Sequence, residues 1–207
     1  MPSVTVPSAR VARWAHNFAA RHGDTMYAVR EGALTGVAED GSRFVARLPF
    51  GTAYAGEAEP TAFAIAVSEA VPRLWGVLLV RKGGFAVARL SGRTIVESKV
   101  GQRHVQGRTK AGGQSQQRFA RRRDNQARQA YEAAADHAAR ILRGEGAHPA
   151  VIVTGGDHSA VEEVLADPRL RGLEVVAPWL AVADPRRGVL DQAIADAQAA
   201  VVEVTNA

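Results

Sequence analysis

Two apolar runs, Trp75-Gly76-Val77-Leu78-Leu79-Val80 and Phe85-Ala86-Val87-Ala88-Arg89-Leu90, flank Lys82-Gly83-Gly84 as strands flank a hairpin turn. Residues 93–100 then alternate Ile95, Glu97 and Lys99 with Thr94, Val96 and Ser98, which predicts a third strand. Beyond a glycine-rich basic loop at 101–117 the period changes. Over 118–143, Phe119, Ala127, Ala130, Ala134, Ala138 and Ile141 trace one face of a long helix, and Arg118, Arg121, Arg122 and Arg128 fall largely away from it. Unbroken, that helix would run about 39 Å. Small alanines on its inner line predict close packing against a sheet. Gly144 and Gly146 end it, and Val151-Ile152-Val153 reads as a buried strand. Asp157 or Ser159 can cap a helix running to about Asp167; residues 173–176 form another strand, and a last helix spans about Gly188 to Val202. Hairpin, strand, helix, strand, helix, strand, helix make an α/β domain with a mixed sheet.

The N-terminal stretch is patterned differently. Val11, Trp14 and Phe18 form the stripe of an amphipathic helix over 10–22 that stops at Gly23 and docks on the body. Residues 25–37 and 42–48 are β-inclined, with Asp40-Gly41 as the turn between them, and Pro49 to Pro60 reads as a linker or long loop. The expected organisation is a small α+β region at 1–72 and a second domain at 73–207. No internal repeat is visible.

A chain of 207 residues can bury a sizeable core without staples, so zero cysteines excludes disulfides and thiolate zinc sites but says little of compartment. No apolar run reaches about 18 residues and no signal-peptide core is present, so the cytoplasm is the expected location, with no membrane contact. The six histidines never fall at His-x-x-x-His spacing, and neither metal nor cofactor is expected. Charge is concentrated. Nine basic residues against Asp124 give +8 between Lys99 and Arg128, which leaves −3 for the rest of a chain whose total is +5. Such a stretch on a mildly acidic body is the footprint of a polyanion partner, with salt-sensitive affinity.

Inside the basic stretch lies Gly112-Gly113-Gln114. With 20 glycines, chance alone gives such a triplet in roughly 8% of chains of this composition, so its setting must carry the inference. Paired glycines allow positive φ and let backbone N–H groups approach a ligand closely. Donors so placed can stabilise charge developing on an ester carbonyl or a departing 3′ oxygen, each worth about 3–4 kcal/mol. Glutamine is no general base. His104 reads as a loop or RNA contact rather than a base, and Ser115 would need an activating base that the sequence does not supply. Thr154-Gly155-Gly156-Asp157-His158-Ser159, between a strand and a helix, reads as a tight turn rather than a phosphate cradle, because no full Gly-x-x-x-x-Gly-Lys-Ser/Thr or Gly-x-Gly-x-x-Gly is present.

The longer string Gly112-Gly113-Gln114-Ser115-Gln116-Gln117-Arg118-Phe119-Ala120-Arg121-Arg122-Arg123 resembles the catalytic loop and following helix of eukaryotic and archaeal class-1 translation release factors. The likeness runs over about 74–202 and implies their ribonuclease-H-like middle domain. In plan the chain is closer still to the Vms-like release factors, the VLRF family, and is similar to a bacterial member. The resemblance implies a ribosome-associated peptidyl-tRNA hydrolase with Gly112, Gly113 and Gln114 at the reacting ester. The Gln114 amide would stabilise the leaving group, and its side chain would position water. Proton transfer would fall to ribosomal RNA and the substrate ribose. Arg103, Arg108 and Lys110 before the glycines, and Arg118, Arg121, Arg122 and Arg123 after them, would dock on ribosomal RNA or acceptor-stem phosphates. The expected partners are the large subunit, peptidyl-tRNA and ribosomal RNA, approached as a monomer. About 70 N-terminal residues are few for a codon reader, so rescue of stalled subunits without a stop codon is the expected activity. A nuclease cutting the tRNA 3′ end, or a non-catalytic ribosome- or RNA-binding module, are the alternatives.

Overall fold

A computed structural model describes residues 3–102, 114–144 and 146–207, with Gln102 and residues 114–127 described by their backbone alone. The elements run β1 (Ser3–Val6), α1 (Ser8–His22), β2 (Thr25–Arg30), β3 (Ala33–Ala38), β4 (Arg43–Arg47), α2 (Pro60–Glu69), β5 (Leu74–Arg81), β6 (Gly84–Ser91), β7 (Thr94–Gln102), α3 (Gln114–Arg143), β8 (Val151–Gly156), α4 (His158–Leu165), β9 (Glu174–Leu180), α5 (Arg187–Ala197) and β10 (Ala200–Thr205). Short 3-10 turns lie at Pro49–Gly51 and Pro168–Leu170. The fold is mixed α/β. The chain divides into two compact units, one of Met1–Pro72 with Val176–Pro178 and Ile194–Ala207, the other of Arg73–Val175 with Trp179–Ala193.

The first unit is built on an antiparallel sheet in the order β1-β10-β4-β3-β2. Phe44 on β4 sits opposite Gly36 on β3, where any Cβ would overlap its ring, and Trp14 and Phe18 of α1 pack on that ring at 5.0 and 5.1 Å between centroids. One glycine thus makes room for the aromatic cluster that seats α1. The expected single run at 25–37 is two strands, because Glu31 (φ 49°) and Gly32 (φ 71°) both take the left-handed conformation of a two-residue hairpin turn. Helix α2 was hidden behind the Gly- and Pro-rich stretch before it. Pro60 opens it, the Glu59 carboxylate accepts from the Ala62 N–H at 2.7 Å, and Phe63 and Val67 are buried. The last helix, expected to reach Val202, stops at Ala197. Val201, Val202 and Val204 are β-branched, and they fill the place between β1 and β4 as strand β10. The segment Ile194–Ala207 therefore belongs to the first unit's sheet and core.

The second sheet is mixed, in the order β7-β6-β5-β8-β9, with β5, β6 and β7 antiparallel in turn and β8 parallel to β5; apart from Val176–Pro178 of β9 it belongs to the second unit. Strands β5 and β6 are buried over nearly their whole length, as their continuous apolar runs require. Gly76 on β5 lets α3 approach, since a Cβ there would stand 2.6 Å from Leu142 Cδ2 and 3.0 Å from Ile152 Cγ2. Ala134, Ala138, Ile141 and Leu142 of α3 join Leu78, Val87 and Ile152 in one core. The buried Trp75 keeps its polar edge satisfied by donating to the Gly92 carbonyl at 2.8 Å.

Past α4, the Asp167 carboxylate caps the 3-10 turn by accepting from the Arg169 N–H at 2.8 Å. The Arg169 guanidinium donates at 2.7 Å to both Asp167 and Asp136 of α3, fastening that turn to the helix. The Arg169 hydrogen bonds pull the Asp167 carboxyl down to about 2, from an ordinary value of 3.8. A carboxylate depressed on folding stabilises fully above its unfolded pKa and loses that contribution as pH falls through the folded one. Between pH 4 and pH 2 the melting temperature of Asp167→Asn is therefore expected to fall less than that of the parent chain. Parallel pH titrations of the two thermal midpoints check this.

Candidate functional site

Strand β7 ends at Gln102, which pairs with Gly84, the first residue of β6 after the Lys82-Gly83 turn. The chain thus leaves the sheet beside that turn, at the end where β5 and the parallel β8 also finish. It is next described at Gln114, the first residue of α3. Gly112, Gly113, Arg103, Arg108, Lys110 and His104 lie outside the described residues. Gln114, Arg118, Arg121, Arg122 and Arg123 lie on the backbone of α3's first third. The loop expected to extend to Gln117 gives way to helix four residues earlier, because Ser115, Gln116 and Gln117 contain no breaker and glutamine continues a helix readily.

What makes α3 a defined mount is the grip on its C-terminal half. Ala130, Ala134, Ala135, Ala138, Ala139, Ile141 and Leu142 are buried. The His137 ring stacks on Phe85 of β6 with centroids 5.4 Å apart. Arg140 makes an ion pair with Glu97 of β7, Arg143 donates to the Arg171 carbonyl at 2.7 Å, and Asp136 holds Arg169. From His137 to Gln114 the helix covers about 35 Å at 1.5 Å per residue. The alanine line, legible as a period in the sequence, lets the helix sit close to the sheet, with Ile141 and Leu142 filling the core at its C-terminal end. Arg128, expected away from that line, is exposed.

A cleft of about 600 Å³ lies between α3 and the α4 side, lined by Arg128, Tyr131, Glu163 and Arg169 among others. Burial, with the Glu163 carboxylate next in effect, pushes the Tyr131 hydroxyl above its ordinary value, so it stays a protonated donor at neutral pH. Sequence reading passed over Tyr131; its only signal is an aromatic inside an otherwise alanine and polar helix. The Thr154–Ser159 stretch is a packed turn. Asp157 N–H donates to the Val80 carbonyl at 2.8 Å, its carboxylate pairs with Arg81 at 3.3 Å, and His158 lies flat on Trp179 with centroids 3.6 Å apart. Among the described residues no group of three or more His, Asp or Glu is placed to hold a metal ion, and no helix is long and apolar enough to cross a membrane.

Residues 73–203 match the family described as the Actinobacteria/chloroflexi VLRF1 release factor. The chain belongs to this family. The match opens at Arg73, where the second unit begins, and runs on into β10 of the first. The VLRF1 release factor region therefore takes in β7, α3 and the string from Gly112 to Arg123. Among solved structures, the chain is similar to a crystal structure of the archaeal translation termination factor aRF1, with 10% identity and a TM-score of 0.37 over 78% of this chain and 51% of that one. It is similar to an archaeal protein at 14% identity and a TM-score of 0.32, again over 78% of this chain and 51% of that one. The Pelota protein of Archaeoglobus fulgidus follows at 10% identity and a TM-score of 0.24, over 94% and 62%. The chain thus spans about half the length of the first two. No curated protein matches it.

Proposed function

We propose that the protein is a cytoplasmic, monomeric peptidyl-tRNA hydrolase that releases nascent chains from stalled large ribosomal subunits without a stop codon. The observation that carries this reading is the Gly-Gly-Gln-Ser string, whose Gln114 and Ser115 open α3, inside the region that matches a release-factor family. The first four N–H groups of any helix lack intrahelical acceptors and carry the positive end of its dipole. Gln114, as the first residue of α3, supplies such a group to the 3′ oxygen of the terminal adenosine as negative charge builds there. Gly112 and Gly113 let the backbone close on the ester, and the Gln114 side chain positions water. Ribosomal RNA and the substrate ribose transfer the protons.

Arg103, Arg108, Lys110, Arg118, Arg121, Arg122 and Arg123 dock the two limbs of the loop on ribosomal RNA and acceptor-stem phosphates. Phosphate contacts fix position and orientation but carry no sequence information, which supports action without a codon signal. The test is release of a labelled nascent chain from large-subunit and ribosome complexes with and without a stop codon. Equal release with the tRNA's terminal adenosine intact is expected. A tRNA shortened at its 3′ end would make the protein a nuclease, and binding without release would make it a non-catalytic module. With Arg121→Ala and Arg122→Ala together, the slope of log affinity for the subunit against log salt is expected to flatten by about 2.

A further inference from the structure

In the first unit a groove of about 570 Å³ runs between β1 and α1, and it is lined by both chemistries that an extended acidic peptide would need. One wall is β1. It is the outermost strand of its sheet among the described residues, paired only to β10, so its other side presents unpaired backbone N–H and C=O groups. Ser3, Val4 and Thr5 are exposed along it. The other wall is α1, which offers Arg10, Arg13 and Asn17, all exposed, with no acidic residue among the described residues of the lining. Arg10 and Arg13 are one helical turn apart, and neither is ion-paired to a described residue. Two acids stand on the β10 side of β1: Asp196 accepts from the Thr5 hydroxyl at 3.4 Å, and Glu203, opposite Ser3, is paired with Arg47.

We propose that this groove binds an extended, acidic segment of a partner protein, which adds as a sixth strand beside β1 and sets its carboxylates on Arg10 and Arg13. Strand addition draws affinity from main-chain hydrogen bonds and specificity from alternate side chains, and here the alternate side chains would face two guanidinium groups. Single-stranded RNA fits less well. Sites for it offer exposed aromatic faces, whereas Trp14, the aromatic ring among the described lining residues, is already stacked on Phe18 (centroids 5.7 Å) and set edge-on to Phe44. A second copy of the chain fits less well too. A two-fold β1-to-β1 pairing would oppose Arg10 and Arg13 to their own copies, and like charges facing one another across paired strands destabilise.

The test uses the full chain and a fluorescent octapeptide alternating Val and Glu, with an octapeptide alternating Val and Lys and an octauridylate as comparisons. The acidic peptide is expected to bind at least tenfold more tightly than the lysine peptide. Arg10→Glu with Arg13→Glu is expected to weaken it tenfold or more. In the unsubstituted chain, amide exchange over Ser3–Val6 is expected to slow on adding the peptide, a readout that does not depend on any variant folding. Unchanged exchange at β1, or peptide affinity indifferent to the double reversal, overturns the proposal. So does a groove whose reversal weakens octauridylate but not the peptide, or one whose reversal abolishes a dimer.

Discussion

Replacement of Gly113 by Ala is expected to slow release of nascent chains from stalled subunits by about 100-fold or more, while binding to the subunit changes by less than about threefold. Removing one preorganised donor from developing negative charge costs about 10²–10³ in rate. On the proposed reading a methyl group at Gly113 would act in that way, because it would restrict the backbone that has to close on the ester. Docking, in contrast, is on that reading spread over seven arginines and lysines, so one methyl on the loop is expected to leave it nearly intact. Single-turnover release at saturating protein measures the first quantity and a binding titration the second. Release that is unchanged in Gly113→Ala would remove the Gly-Gly-Gln loop from the chemistry. Ser115→Ala is the companion: a small effect is expected there, since the sequence offers no activating base for that hydroxyl.

How far the sequence could be read depended on whether the period of an element matched its burial. The hairpin β5–β6, strand β7 and the long α3 were legible because the Lys82-Gly83 turn and the alanine line of α3 state their geometry locally. In the first unit the signals were local but easily merged. Glu31-Gly32 is a two-residue turn inside a run of uniform β-propensity, and the Pro60 that opens α2 stands at the end of a Pro- and Gly-rich stretch. Strand β10 could not be read at all from its own residues. Val201, Val202 and Val204 are compatible with the tail of a helix, and what makes them a strand is the gap between β1 and β4, nearly the whole chain away in sequence. The site divides in the same way. Its residue types were legible as a motif, and so was the run of arginines on α3. Tyr131 was not, because its burial comes from packing beside α4 rather than from anything in its own helix.

The second large effect concerns the glycines of the β8–α4 turn. Gly156→Ala is expected to destabilise the second unit by about 3 kcal/mol or more, which for a chain of this size lowers the unfolding midpoint by roughly 10 °C. Two costs coincide there. Gly156 has φ +104°, a conformation that alanine adopts only under strain, and an added Cβ would overlap the carbonyl oxygen of Val80. That carbonyl already accepts from the Asp157 N–H, so it cannot turn aside without breaking the bond that joins the end of β5 to the start of α4. Gly155 is under the same pressure from the Leu180 carbonyl. The identity of the two groups decides between the two readings of Thr154-Gly155-Gly156. A phosphate cradle needs N–H groups converging on open space, whereas here carbonyl oxygens crowd both Cβ positions and would repel an anion. Thermal denaturation of Gly156→Ala should therefore show the loss of stability, and millimolar nucleoside triphosphate should leave the parent chain's midpoint where it was. A midpoint raised by nucleotide, with Gly156→Ala as stable as its parent, would restore the phosphate reading and make the turn a second ligand site.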